Sequence, residues 1–336
     1  VGKGESAHRR IRRRELIAAG VAGLGASAFA PAPAVVGVGT GARHLDAVER
    51  ALAEVGGLDF VGAGETVLLK VNANSGDPYP YSTSPAVVGE LARALAARGA
   101  RVVVGDRSFW GDTRTSDNLE RNGIAPAARA AGARVVVFDD AVEWIEVPPA
   151  LVPSWRPPVR VPRLLRDADH VLNLACVKTH FITGFTMALK NALGLVHAAD
   201  RARDGNLRVH TQDRIYAQIA ELCRFVRPTL HLCDGFEALV RGGPTPASPP
   251  GAPRIAPARL VAASRDPVAL DAVGVAILQR HAPPSEVVTK EPSWRQAMLR
   301  AAVAAGVGAA RPGALVVRGA SVADRQALAT LARAGA

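Results

Sequence analysis

The sequence predicts an α/β fold: a mostly parallel, doubly wound sheet, arranged as one large domain or as two α/β lobes. Three observations carry this. Short apolar runs alternate with segments of helical period from residue 34 to about residue 281. Several apolar runs end in a charged group, at Lys70, Asp106, Lys178 and Asp234, where open α/β sheets hold their ligands. The roughly 300 residues beyond the N-terminal segment are ample for one large core.

Ala34 to Gly39 reads as a short strand. Arg43 to Val55 reads as a helix with Leu45, Val48, Leu52 and Val55 on one face. Val67 to Leu69 is the next strand, ending in Lys70 and Asn72. Ser84 is placed as an N-cap, with Pro85 opening a helix to Arg98. Val102 to Gly105 is a strand ending at Asp106, and a helix through Ala127 to Ala131 leads to another strand, Arg134 to Phe138. Glu146 to Pro162 holds six prolines in seventeen residues, which predicts an extended crossover. The second half continues with strand 170–175, helices 185–196 and 212–225, strands 229–233 and 259–263, and helix 267–281. The expected division is 1–34 as an export signal, 35–145 as an N-terminal α/β half, 146–162 as the crossover and 163–336 as a C-terminal half. No repeat relates the halves.

The N-terminal segment carries Arg12-Arg13-Arg14-Glu15-Leu16-Ile17, a twin arginine followed by an apolar pair. An uncharged Ala/Gly-rich run and a small-residue site at Ala32-Pro33-Ala34 follow. This predicts export by the twin-arginine (Tat) translocase to the periplasm, with cleavage near Ala34 and no stable transmembrane span in the mature form. The alternative is a membrane anchor made by an uncleaved signal. Residues 1–34 hold six Lys/Arg against Glu5 and Glu15, a surplus of four out of the chain's +11, which leaves +7 on the remainder. That charge is scattered and aromatics are only 4% of the chain, so a nucleic-acid partner is disfavoured. A small anionic ligand suits the field better.

Cys176, Cys223 and Cys233 share no C-x-x-C spacing, so the chain encodes no ordinary iron–sulfur cluster of its own. Cys223 and Cys233 sit in apolar runs and read as small core residues. Gly37 to Gly41 follows a strand but lacks the third glycine of a dinucleotide loop. The cofactor therefore stays unknown. A metal is possible through His180, His197 and His210, although no two have the i, i+4 spacing of a zinc helix.

The densest chemistry lies between Asn173 and Gly194. Lys178, Thr179 and His180 come where a strand should end, and Lys190 and Asn191 follow among small and apolar residues. Lys178, Lys190, His180 and His210 are the candidate catalytic groups. Lys70, Asn72, Asn191 and Thr186 are candidate anion ligands. Ser82, Thr83 and Ser84 at a helix start make a further anion seat. Asp106, Asp234, Asp266 and Asp271 are the candidate carboxylates. Asp266 suits an N-cap, and Asp271, inside a helix, is expected to be exposed or paired with a lysine such as Lys190.

These pieces resemble the domain-of-unknown-function 362 family over roughly residues 35 to 285. The likeness rests on Lys178-Thr179-His180, Thr186 to Lys190-Asn191, Gly194, Leu69-Lys70-Val71-Asn72, Ser84-Pro85, Asp234-Gly235, Gly242-Gly243-Pro244 and Ser264 to Asp271, in that family's order. Val71 stands where the family more often has proline, and the ferredoxin-like cysteine cluster of many members is missing. The His180 to Lys190 neighbourhood is also loosely reminiscent of pincer-nickel lactate racemases, with no motif to carry it. The expected function is an enzyme with a cationic pocket for a small anionic substrate or an anionic or metal cofactor. The alternatives are a non-catalytic periplasmic ligand-binding or cofactor-delivery protein, or the redox partner of an iron–sulfur subunit.

Overall fold

The computed structural model describes residues 33–108, 113–139, 142–203, 214–308 and 311–335. Twelve strands occur in these segments: β1 (Ala34–Thr40), β2 (Thr66–Lys70), β3 (Arg101–Asp106), β4 (Arg134–Val137), β5 (Trp144–Glu146), β6 (Arg160–Pro162), β7 (His170–His180), β8 (Gly184–Thr186), β9 (Leu230–Arg241), β10 (Arg254–Ala256), β11 (Leu260–Ser264) and β12 (Leu315–Gly319). The main path of the large sheet runs β12-β1-β11-β9-β7-β2-β3-β4, with β8 attached to β7 and β10 to β9. The order interleaves the two ends of the chain, since β1 lies between β11 and β12. All pairings along the path are parallel except those of β11, which runs against β1 and β9. The predicted mostly parallel α/β sheet is therefore present, with β11 as its reversed member.

Among the described residues ten helices flank the sheet: α1 (His44–Ala53), α2 (Pro85–Ala97), α3 (Thr115–Arg121), α4 (Ile124–Ala130), α5 (Leu164–Asp167), α6 (Ala198–Arg203), α7 (Arg214–Val226), α8 (Pro267–His281), α9 (Ala297–Ala304) and α10 (Val322–Arg333). Strand side chains alternate between faces. Leu69, Val104, Leu172 and Leu232 pack one core with α1 to α4, through Val48, Leu91, Leu119 and Ile124. Leu68, Val103, Val171 and Cys233 pack the other core with α7 to α10, through Ile219, Val273, Leu299 and Leu328. Both faces are covered, which is why the strands read as continuous apolar runs rather than alternating ones.

Several segments depart from the sequence reading. The strands expected over 170–175 and 229–233 run on to His180 and Arg241, so Asp234 lies inside β9 rather than at a strand end. The helix expected over 185–196 is instead β8 followed by a 3₁₀ turn at Lys190–Leu195. The backbone there is claimed from outside: Asp271 Oδ1 and Oδ2 accept from the N–H groups of Ala188 (2.8 Å) and Leu189 (3.0 Å), and Asn173 donates to Ala188 O (2.8 Å). The proline-rich stretch is not merely extended, because β5 and β6 pair in it and Trp155 is buried, donating to Gln218 O at 3.1 Å. β12, α9 and α10 complete the chain beyond 281, where no elements were foreseen.

α8 is buried on all sides from Val268 to Leu278, and Asp271 is the one ionisable group in that stretch. Burial pushes its pKa up to about 7, against the two backbone donors that favour the charged form. An acid whose folded-state pKa is raised stabilises the fold fully below its unfolded pKa and loses that contribution as pH rises through the folded one. Between pH 5 and pH 8 this single group should weaken the fold by roughly 2–3 kcal/mol. Urea denaturation across that range should show the loss in the native chain, and Asp271→Asn should remove its share of the slope. An identical slope in the variant would mean that Asp271 titrates in its ordinary range.

Candidate functional site

The site forms where two neighbouring parallel strands part. The ladder between β2 and β7 ends at Lys70 opposite Asn173, yet β7 continues to His180 alongside β9 and β8. Beyond Lys70 the edge of β7 that faced β2 is open, which makes the crevice that open parallel sheets use for ligands. Polar side chains rather than backbone bonds bridge it. Thr83 Oγ1 accepts from Asn72 N (2.7 Å) and donates to Leu174 O (2.9 Å), tying the loop after β2 to β7. Lys178 and His180, two residues apart on β7, share one side of the strand.

Two buried lysines fix the geometry. Lys70 Nζ faces three acceptors: Val71 O at 2.6 Å, Asn191 Oδ1 at 3.2 Å and Asp106 Oδ1 at 2.7 Å. Burial lowers its pKa and Asp106 opposes that; three acceptors around one nitrogen match the three N–H groups of the ammonium. Lys178, fully buried, donates to Asn72 Oδ1 (2.6 Å) and to Tyr81 O. Because ammonium can only donate, both amides are oriented by it. Asn72 turns Nδ2 to Asn191 Oδ1 (3.0 Å), and Asn191 turns Nδ2 to Val71 O (3.3 Å) and Asn173 Oδ1 (2.7 Å). Gly194 is glycine for a steric reason: a Cβ there would collide with Asp106 Oδ1 and stand 3.0 Å from Lys70 Nζ.

Next to this frame lies a cleft of ≈ 50 Å³, room for a few waters or one small anionic group. Lys178, Arg107 and Arg201 contribute its positive charge, Lys190 adds a buried amine, and Asp106 is the one carboxylate among its described lining residues; His180, Thr186 and Asn191 add polar wall. Lys190 is 7% exposed and makes no hydrogen bond or ion pair among the described residues. Burial, with Lys178 nearby, holds its pKa well below the usual lysine range, and no acid group counteracts this. Burial beside Arg107 pulls Arg201 down to about 9, so it stays charged at neutral pH. The Thr186 hydroxyl is buried with no partner among the described residues. His180 Nδ1 accepts from the N–H groups of Ile182 (3.1 Å) and Thr183 (3.3 Å), so the ring proton sits on Nε2.

Lys70, Asn72, Asp106, Lys178, His180, Thr186, Lys190 and Asn191 are thus brought together as the sequence suggested. Ser82, Thr83 and Ser84 are spent elsewhere: Ser82 Oγ donates to Ser75 O (3.3 Å), Ser84 caps α2, and Thr83 makes the bridge above. Asp234 does not reach the cleft wall. It holds His44 Nε2 (2.8 Å) and accepts from Tyr79 Oη (2.8 Å). Asp266 caps α8, accepting from Val268 and Ala269 N–H at 2.9 Å each. Asp271 is neither exposed nor paired with Lys190; it binds the peptide just before Lys190 instead. His210 lies outside the described residues. His197 packs edge-on to Trp144 and meets Arg160, away from the cleft. Among the described residues no three His, Cys, Asp or Glu side chains converge as a metal site requires. The three cysteines are buried free thiols, and burial pushes Cys176 up to about 12, which leaves it a poor nucleophile. Sequence reading missed Arg201, Asn74 and Asn173. Arg201 sits in a charged stretch with nothing local to single it out, whereas an asparagine inside the apolar run of β7 was a usable signal.

Fold and site together define an α/β protein with a small cationic cleft at the carboxyl ends of parallel strands. The profile of the domain of unknown function DUF362 matches residues 67–276, and the chain belongs to that family. The chain is 29% identical over 238 residues to the thylakoid-associated protein sll1697 of Synechocystis sp., covering 70% of each. A solved structure, the lactate racemase apoprotein from Thermoanaerobacterium thermosaccharolyticum, aligns with a TM-score of 0.39 at 14% identity over 59% of this chain; the chain spans 50% of that structure's length. No helix among the described residues is long and apolar enough to cross a membrane.

Two substitutions test the frame. Gly194→Ala should cost on the order of 3 kcal/mol in chemical denaturation by prising apart the buried Lys70–Asp106 pair. Lys190→Met should instead stabilise the fold by roughly 1–4 kcal/mol, since it removes a buried amine with no counter-charge. That gain should shrink as pH rises toward the ordinary lysine range, where the unfolded chain also loses the proton.

Proposed function

We propose that the cleft binds a small oxyanion or carboxylate and that the protein is an enzyme performing acid–base chemistry on it. The observation that carries this is Lys190, buried in a cation-lined cleft with no acidic partner among the described residues. An amine in that position is destabilised as a cation until an anion arrives. The anion therefore restores its charge, and binding draws in a proton. Arg107 and Arg201 supply fixed charge, Lys178 and Thr186 supply donors, and Asn191 supplies a neutral hydrogen-bonding group. His180, held as the Nε2–H tautomer, has the right proton to give to a substrate oxygen. The proton that Lys190 takes up with the anion is one it can return during turnover. Asp271 acts only through the peptide before Lys190 and is a positioning residue.

Calorimetric titration with inorganic phosphate and acetate at pH 8, in buffers of differing ionisation enthalpy, tests this. Binding should take up as much as one proton per anion and should be lost in Lys190→Met. Undiminished binding in that variant would overturn the reading. His180→Gln should keep anion affinity within about threefold while turnover falls by 10²-fold or more. Should no substrate turn over while binding survives, the protein is a ligand carrier built on the same cleft.

We further propose that the chain reaches its site of action through the twin-arginine route. Arg12-Arg13 and the small-residue site ending at Ala34 support this, and the likeness to a thylakoid-associated protein accords with it. Replacing both arginines by lysine should stop export in a fractionation assay, and the mature mass should begin at Val35.

A further inference from the structure

A second cavity of ≈ 320 Å³ lies on the other side of Lys70, between the start of β7, α7 and the N-terminal end of α8. Its middle is apolar, with Val171, Ala192, Leu195, Val226 and Val307 in the wall. Its volume falls in the range of sites that take small organic molecules. Two polar features bracket that apolar middle. At the rim stand Arg224, Arg227 and Arg265, none paired with a carboxylate among the described residues. Arg227 and Arg265 are exposed and Arg224 is half-buried.

At the inner end is His231, 3% exposed and lining the cavity. Its tautomer is dictated from Lys70. The ammonium gives its hydrogen to Asn191 Oδ1, so Asn191 Nδ2 gives to Asn173 Oδ1. Asn173 Nδ2 therefore donates to Ala188 O (2.8 Å) and to His231 Nδ1 (3.0 Å). With Nδ1 accepting, the ring proton must be on Nε2, and that N–H finds no acceptor among the described residues. Burial pushes the His231 pKa down to about 3, so the ring is neutral and does not attract an anion itself. The Nε2–H therefore opens onto the cavity as a donor that a ligand's oxygen can take up.

We infer that this cavity is a second binding site, distinct from the cationic cleft, for a small amphipathic organic acid whose carboxylate meets the rim arginines and whose inner end carries a carbonyl oxygen for His231 Nε2–H. The apolar wall takes the hydrocarbon between them. Such a ligand finds a partner for each of its own polar ends and leaves neither buried unpaired. The site does not rest on the function proposed for the cleft, because Lys190 and His180 take no part in it.

The test is calorimetric titration of the full chain with octanoate, octanol and 7-oxooctanoate. Octanoate should bind and octanol should bind at least tenfold more weakly. The double variant Arg227→Gln/Arg265→Gln, at exposed residues, should lose octanoate affinity by tenfold or more. The inner carbonyl of 7-oxooctanoate should tighten binding several-fold, and His231→Phe should erase that gain while leaving octanoate itself little changed. Val307→Trp, which fills the cavity, should abolish binding of both acids. Lys190→Met should leave both affinities unchanged, and phosphate should not compete. Octanol binding as tightly as octanoate, or loss of octanoate binding in Lys190→Met, would overturn the inference, the second by assigning the acid to the cleft.

Discussion

An ammonium group has hydrogens to give and nothing to accept with, and two buried ammonium groups impose that asymmetry on the centre of this fold. Lys178 fixes Asn72, Lys70 fixes Asn191, and Asn191 fixes Asn173. Each amide could otherwise be flipped end for end at little cost; here only one orientation leaves no donor facing a donor. The direction propagates from the cleft through three asparagines to the tautomer of His231, the register partner of Asn173 on β9. The arrangement is fragile by design: deleting either lysine leaves carbonyl oxygens and, at Asp106, a carboxylate without their cation. Gly194 belongs to the same constraint, since the Lys70–Asp106 pair occupies the space a side chain would need.

Against that satisfied frame, Lys190 stands out by lacking what Lys70 has. Both amines are buried within one wall, but Lys70 has a carboxylate at 2.7 Å and Lys190 has none among the described residues. A protein gains nothing in stability from such an amine, and burial in a low-dielectric setting makes its charge costly. Its position is nevertheless carefully held, because Asp271, deep in α8, binds the two amides that precede it. A buried acid is thus spent on locating an unpaired base. Structure that stabilises the placement of a destabilising group is what a site for an incoming anion requires.

The parts of the site visible in the sequence were those whose signal is local. Lys70, Asp106 and Lys178 are charged residues ending or interrupting apolar strands, and parallel topology then gathers such residues at one end of the sheet. Lys190 and Asn191 were visible because a charged residue among small apolar ones demands a reason. The same logic drew in Ser82 to Ser84 and Asp266, at helix starts, and Asp234, which lies inside β9 rather than at a strand end; all find their partners elsewhere. Asp234 is claimed by His44, from the far end of the chain, and by Tyr79. The helical period over 185–196 misled for a related reason, because Asp271 outbids the local i, i+4 bonds for that backbone. Arg201 enters through long-range packing alone, whereas Asn173, a polar residue inside an apolar strand, carried a local signal.

The length mismatch between β2 and β7 explains why both cavities exist and why they share a wall. β7 runs eleven residues, while β2 stops against it after Lys70. Along β7 the early residues Val171 and Asn173 point toward the α7 and α8 side, and line the apolar cavity. Even-numbered residues of β7 point to the other side of the strand, and beyond the end of the ladder no β2 residue covers them. Lys178 and His180 then face the gap that β2 has left. One strand therefore serves two chemically opposite chambers, apolar before the divergence and cationic after it. Lys70, the last residue of β2, sits on the boundary because its stem continues the strand while its ammonium already belongs to the gap.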